Sequence, residues 1–142
     1  MRQFVLLLLV LLLVAGAAIG FFVYRQLDTK TVTVAAALAM RQDAACGAVE
    51  LAVEARTLAR WSLPLAEGQG ASVTVSVAGG DRADIGLRVW SPNNRTVYAA
   101  PDRFHAIDFA LSAPVRGDYR FDLDNRHSAF TEKHVTVSVC FV

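Results

Sequence analysis

Residues 4 to 24, FVLLLLVLLLVAGAAIGFFVY, contain no charged side chain. As a helix rising about 1.5 Å per residue they would reach roughly 32 Å, enough to cross the hydrocarbon core of a bilayer. This run constrains the chain more than anything else in it, because it directs the protein to a membrane and leaves little more than a hundred residues to fold. Two readings of the run stay open. Ala15-Gly16-Ala17 offers a small-residue site of the kind at which a secretory signal is cut. Phe21, Phe22 and Tyr24 continue the apolar stretch with aromatics at interface depth, which favours a retained signal-anchor over a cleaved signal peptide. Arg2 and the amino terminus stand against Arg25 and Lys30, so the charge bias gives only a weak orientation signal.

The remainder is long enough for one domain with an adequate core and too short for two. The whole chain's 14 basic and 13 acidic residues nearly cancel and form no run of one sign, which argues against a nucleic-acid or anionic-lipid partner. The organisation read from the sequence is a membrane segment at 1–25, a juxtamembrane spacer or first strand at 26–46, and a β domain at 47–142. Within 26–46, Val32 and Val34 alternate with Thr31 and Thr33 as in a strand. The following AAALAMRQDAA suits either a short helix or a spacer.

From Gly47 onward apolar residues recur every second position. Val49, Leu51 and Val53 form one such set; Val73, Val75 and Val77 a second; Ile85, Leu87 and Val89 a third; Ile107, Phe109 and Leu111 a fourth. Tyr119, Phe121 and Leu123 alternate with Arg120, Asp122 and Asp124, which places the three charged residues toward solvent or a partner. Val135, Val137, Val139 and Phe141 close the series. Turn residues separate the runs at Glu67-Gly68-Gln69-Gly70, Gly79-Gly80-Asp81 and Ser91-Pro92-Asn93-Asn94. Seven or eight short strands with no long helix among them predict an all-β, antiparallel β-sandwich, since each sheet has one apolar face to cover. On this phasing Cys46 and Cys140 share the outward parity and can meet on one face. A disulfide between them would place the domain outside the cytoplasm.

The run Gly117-Asp118-Tyr119-Arg120-Phe121-Asp122-Leu123-Asp124-Asn125, followed by Ser128, Lys133 and the alternating valines, resembles the closing hairpin of GOLD domains, the β-sandwiches of p24 cargo receptors and some lipid-transfer proteins. A similar alternation occurs in bacterial pre-peptidase C-terminal domains. The resemblance spans about residues 47–142 and implies a non-catalytic interaction module. It departs from p24 proteins in having its membrane segment at the N-terminus and no cysteine in the strand around Tyr119, so coat binding does not carry over.

The residues of that hairpin have structural explanations of their own. Gly117 begins a strand, Tyr119 and Phe121 face the core, Asn125 suits a left-handed or Asx turn, Ser128 can bond the turn backbone, and Lys133 can pair with Asp124 or Glu132. Nothing points to an enzyme or a cofactor. His105, His127 and His134 are scattered, the DLDN run at 122–125 lacks the glycine and glutamate of a calcium loop, and no serine sits in a nucleophile elbow.

Trp61 groups with Leu63 and Leu65 as core. Trp90 has the outward parity of Arg88, and either packs over the sheet edge under Pro92 or forms an interaction face with Arg88. Asn94-Arg95-Thr96 is a glycosylation sequon, meaningful only in a eukaryotic secretory cell. The expectation is therefore a membrane-tethered, extracytoplasmic module with a protein partner. The alternative is a carbohydrate- or wall-binding module, secreted if the leader is cut.

Overall fold

The computed structural model describes residues 2–27, 29–40, 45–80 and 84–142. Residues 41–44 of the helix-or-spacer segment, Asp81 of the Gly79-Gly80-Asp81 turn, and the side chains of Arg2 and Arg25 lie outside the described residues. Helix α1, Arg2–Leu27, contains the membrane-length window Gln3–Val23, none of which is covered by the rest of the chain. A core helix would be buried; this one has only a bilayer or a targeting machinery to bury it.

Ten strands follow among the described residues: β1 Lys30–Thr33, β2 Ala39–Met40, β3 Cys46–Val53, β4 Thr57–Leu65, β5 Gly70–Ala78, β6 Gly86–Trp90, β7 Thr96–Ala99, β8 Ala106–Ser112, β9 Gly117–Asp124 and β10 Lys133–Phe141. They form two five-stranded sheets, β1-β4-β9-β6-β7 and β2-β3-β10-β5-β8. Every pairing is antiparallel except β1 with β4, which run parallel. The protein is an all-β sandwich preceded by an apolar helix.

The two-residue period explains why the sheets close on one another. Trp61, Leu63, Leu87, Val89, Tyr119, Phe121 and Leu123 from the first sheet meet Val49, Leu51, Val53, Val73, Val75, Val135, Val137 and Val139 from the second, and all are buried. Each such side chain contributes about 1.5–3 kcal/mol of burial, against which one face per sheet left wet would be untenable. Aromatic rings knit the layers. Trp61 and Phe121 lie 5.2 Å apart, Phe109 reaches Phe121 from the opposite sheet at 6.4 Å, and Tyr98 stacks on Phe109 at 3.9 Å.

The segment left ambiguous by sequence is part of the sandwich. After β1 the chain crosses from the first sheet to the second in extended form, laying Val34, Ala36 and Leu38 half-buried against the core. Trp61 Nε1 donates to the Ala36 carbonyl at 2.8 Å, fixing the crossing. Alanine's helix propensity is a few tenths of a kcal/mol per residue and loses to this tertiary contact. Cys46 and Cys140 stand opposite each other on β3 and β10 and are disulfide-bonded, 94 residues apart in sequence.

Candidate functional site

The outer face of the first sheet carries a charged and aromatic cluster. The even-numbered positions 60 and 62 of β4, 88 and 90 of β6, and 120 and 122 of β9 share the outward parity, and the strand register aligns them in rows. Arg60 on β4 opposes Asp122 on β9, which opposes Arg88 on β6; one row along, Ser62 opposes Arg120, which opposes Trp90. Five of these residues converge. Trp90 Nε1 donates to Asp122 Oδ2 at 2.9 Å. The Arg88 and Arg120 guanidinium carbons lie 5.5 and 5.2 Å from the centre of the Trp90 ring, within cation–π range. Arg60 Nε and Arg120 Nε sit 3.3 and 3.2 Å from Asp122 Oδ1.

Asp122 was expected to face solvent, and this needs correction. Its parity is outward, yet its side chain is only 10% exposed, because Trp90 and the arginines fold over it. A carboxylate so placed is tolerable only when paired, and the surrounding cations supply the pairing. Pro92 is met by Gly117, where a Cβ would stand 2.6 Å from its Cγ and where the φ of +149° also disfavours a side chain.

Beside the cluster lies an open concavity of about 390 Å³, with Arg88, Trp90, Arg103, Asp122, Asp124 and Arg126 in its lining. Asp124 is held by Arg126, whose Nη2 is 2.8 Å from Oδ2, and this hydrogen bond keeps the Asp124 carboxyl below the usual carboxylate range despite partial burial. Sequence parity found Trp90 and Arg88. It missed Arg60, Arg120 and Asp122, whose convergence depends on strand order and register that no local pattern carries.

The hairpin residues are assembled as a corner joining β9 to β10. Tyr119 and Phe121 are in the core, and the Tyr119 hydroxyl donates to the Val115 carbonyl at 2.9 Å. Asn125 is fully buried, its Nδ2 lying 3.0, 3.1 and 2.9 Å from the carbonyl oxygens of Val53, Glu54 and Thr131. Ser128 Oγ donates to the Thr131 carbonyl at 3.1 Å. Lys133, expected beside Asp124 or Glu132, instead lies 3.5 Å from Asp84 Oδ1, while Asp124 is engaged by Arg126 and Glu132 by His134. The segment leading into β6 folds back onto the corner, which brings Asp84 there. Burial alone would raise the Asp84 carboxyl; a hydrogen bond and charge from His127, with Lys133 and Arg103, outweigh it and hold the group below its usual range.

No family model matches the chain, and no curated protein matches it by sequence. Among solved structures the sandwich is similar to Aeromonas hydrophila PliG, a periplasmic lysozyme inhibitor of g-type lysozyme, at 18% identity and a TM-score of 0.51, covering 81% of this chain and 99% of that one. It is also similar to a mutant of the Escherichia coli PliG at 17% identity and a TM-score of 0.48, covering 81% and 100%. A third is the pre-peptidase C-terminal domain of Bacillus anthracis collagenase, at 8% identity and a TM-score of 0.46, covering 81% and 97%. At these identities the likeness is one of fold.

Proposed function

We propose that the protein is a non-catalytic, extracytoplasmic interaction module, tethered to a membrane by α1, that binds an acidic protein surface through the outer face of its first sheet. The observation behind this reading is the Trp90 cluster, in which two guanidiniums flank one carboxylate and a third lies over the same indole, so that three positive groups share one negative one on an ordered face. Arginine beside tryptophan is the composition of binding hot spots, and a guanidinium already ordered by its neighbours loses less entropy when it meets a carboxylate. The Cys46–Cys140 disulfide supports an oxidising compartment, outside the cytoplasm. The fold shared with a periplasmic lysozyme inhibitor is compatible with a protein partner. The GOLD likeness of residues 117–139 adds nothing more specific, because its residues serve the corner and the core.

Crosslinking in intact membranes, followed by affinity recovery and mass spectrometry, tests the reading with Trp90→Ala and Arg88→Glu alongside. One stoichiometric protein that is lost in both variants is expected. A partner retained by both would move the site elsewhere. The carbohydrate reading needs a free ring face, and Arg88 and Arg120 already lie over Trp90; retention on a glycan array that depends on Trp90 would restore it and displace the protein-partner reading.

A further inference from the structure

Phe130 is 85% exposed, a large aromatic ring standing in solvent at the β9–β10 corner. Single exposed hydrophobics are ordinary; what sets this one apart is its position and its support. The backbone on either side is held firmly. Asn125 Nδ2 and Ser128 Oγ both donate to the Thr131 carbonyl, and Thr131 packs against Gly80, where a Cβ would collide with its methyl group. The ring is thus displayed from a fixed corner.

That corner lies at the end of the sandwich where the chain enters from α1. Only residues 28 and 29 separate the helix from β1, so Lys30 stands at most about 11 Å beyond Leu27. Lys30 N donates to the Arg56 carbonyl at 3.1 Å, and Arg56 N donates to the carbonyls of Asn125 and Ser128 at 3.1 and 3.0 Å. Two hydrogen-bonded steps connect the tether to the loop that carries Phe130. Two of the charged pairs there are matched, Lys30 with Glu54 at 2.6 Å and Arg126 with Asp124 at 2.8 Å, so the ring stands beside charges that cancel in pairs.

We infer that Phe130 inserts into the headgroup region of the bilayer that α1 crosses, making the corner a second membrane contact that sets the sandwich's orientation. The inference rests on α1 being a retained anchor. The interfacial zone is roughly 5–7 Å deep on each side, within reach of a phenyl ring, and aromatic rings favour that zone. The ring meets lipid, and the paired charges beside it make a zwitterionic bilayer sufficient.

The test uses the full chain in phosphatidylcholine vesicles. Both native cysteines are in the disulfide, so an introduced thiol is the single labelling site. An environment-sensitive fluorophore is placed by Ala129→Cys beside Phe130, by Glu67→Cys at the opposite end of the sandwich, and by Leu11→Cys in the helix. With a shallow lipid-borne quencher, blue-shifted emission and quenching are expected at position 129 but not at 67, and are expected to disappear when Phe130→Ser is added. Blue-shifted emission at 11 with equal, water-like behaviour at 129 and 67 would overturn the inference and leave the anchor intact. A water-exposed probe at 11 would overturn both. Quenching at 129 that survives Phe130→Ser would assign the contact to other residues and remove Phe130 from it.

Discussion

Trp90 and Asp122 are diagonal neighbours across the β6–β9 ladder, and the indole nitrogen donates to a carboxylate that Arg60 and Arg120 also flank. Asp122→Ala is expected to leave that donor unpaired and the cations mutually repelling, costing about 1–3 kcal/mol. Asp122→Asn keeps an acceptor and should lose less. Urea midpoints by far-UV circular dichroism measure the loss, and tryptophan emission should shift to the red as Trp90 is released. An Asp122→Ala protein as stable as the parent would mean that the carboxylate does not organise the face.

Asn125 supplies the donor to three carbonyls at the corner. Asn125→Ala strands them in a buried site and is expected to cost on the order of 3 kcal/mol. Asn125→Asp sets carboxylate oxygens against carbonyl oxygens and should be worse at neutral pH. Thermal melts of the two variants check the order; a melting temperature for Asn125→Asp equal to the parent's would contradict it.

Acid stability should depend on Asp84. Its folded carboxyl ionises below its usual range, the unfolded one at about 3.9. The unfolded chain therefore binds the proton more readily. The stabilisation is complete above the unfolded value and drains away as pH falls through the folded one. Urea midpoints of the parent should fall between about pH 4 and the acid limit, and less steeply for Asp84→Asn. Parallel curves for the two proteins would exclude Asp84 as the source.

Reduction should weaken the domain. The disulfide joins positions 94 residues apart, and in the chain-entropy view its loss costs about 4 kcal/mol. The urea midpoint with dithiothreitol should match that of the Cys46→Ser, Cys140→Ser double variant. An unchanged midpoint under reductant would show that β10 is held by packing alone.

What could be read from sequence was the part governed by local period. Phe121 and Val137 announce their inward faces because each neighbours a polar residue on either side, and Val49 and Leu87 because each recurs in an apolar series of period two. The disulfide followed from the same phasing. What could not be read is set by contacts distant in the chain. Asp122 alternates like a surface residue and is buried by side chains of β4 and β6. Lys133 meets Asp84, some fifty positions earlier, because a connection folds onto the corner. Ala36 lies in a helix-favouring run and is held extended by Trp61.

The position of β10 sets a schedule for biosynthesis. It is the last of the ten strands to be made, yet it lies in the middle of its sheet, paired with β3 on one side and β5 on the other. Until β10 clears the ribosome, β3 and β5 have open edges and Cys46 has no mate. Such long-range pairing is slow, and unpaired edges invite association with other chains. On the proposal that α1 tethers the protein, a nascent chain held by its N-terminal helix would wait out that interval with its neighbours kept at a distance, and the tether would guard assembly before it served the finished fold.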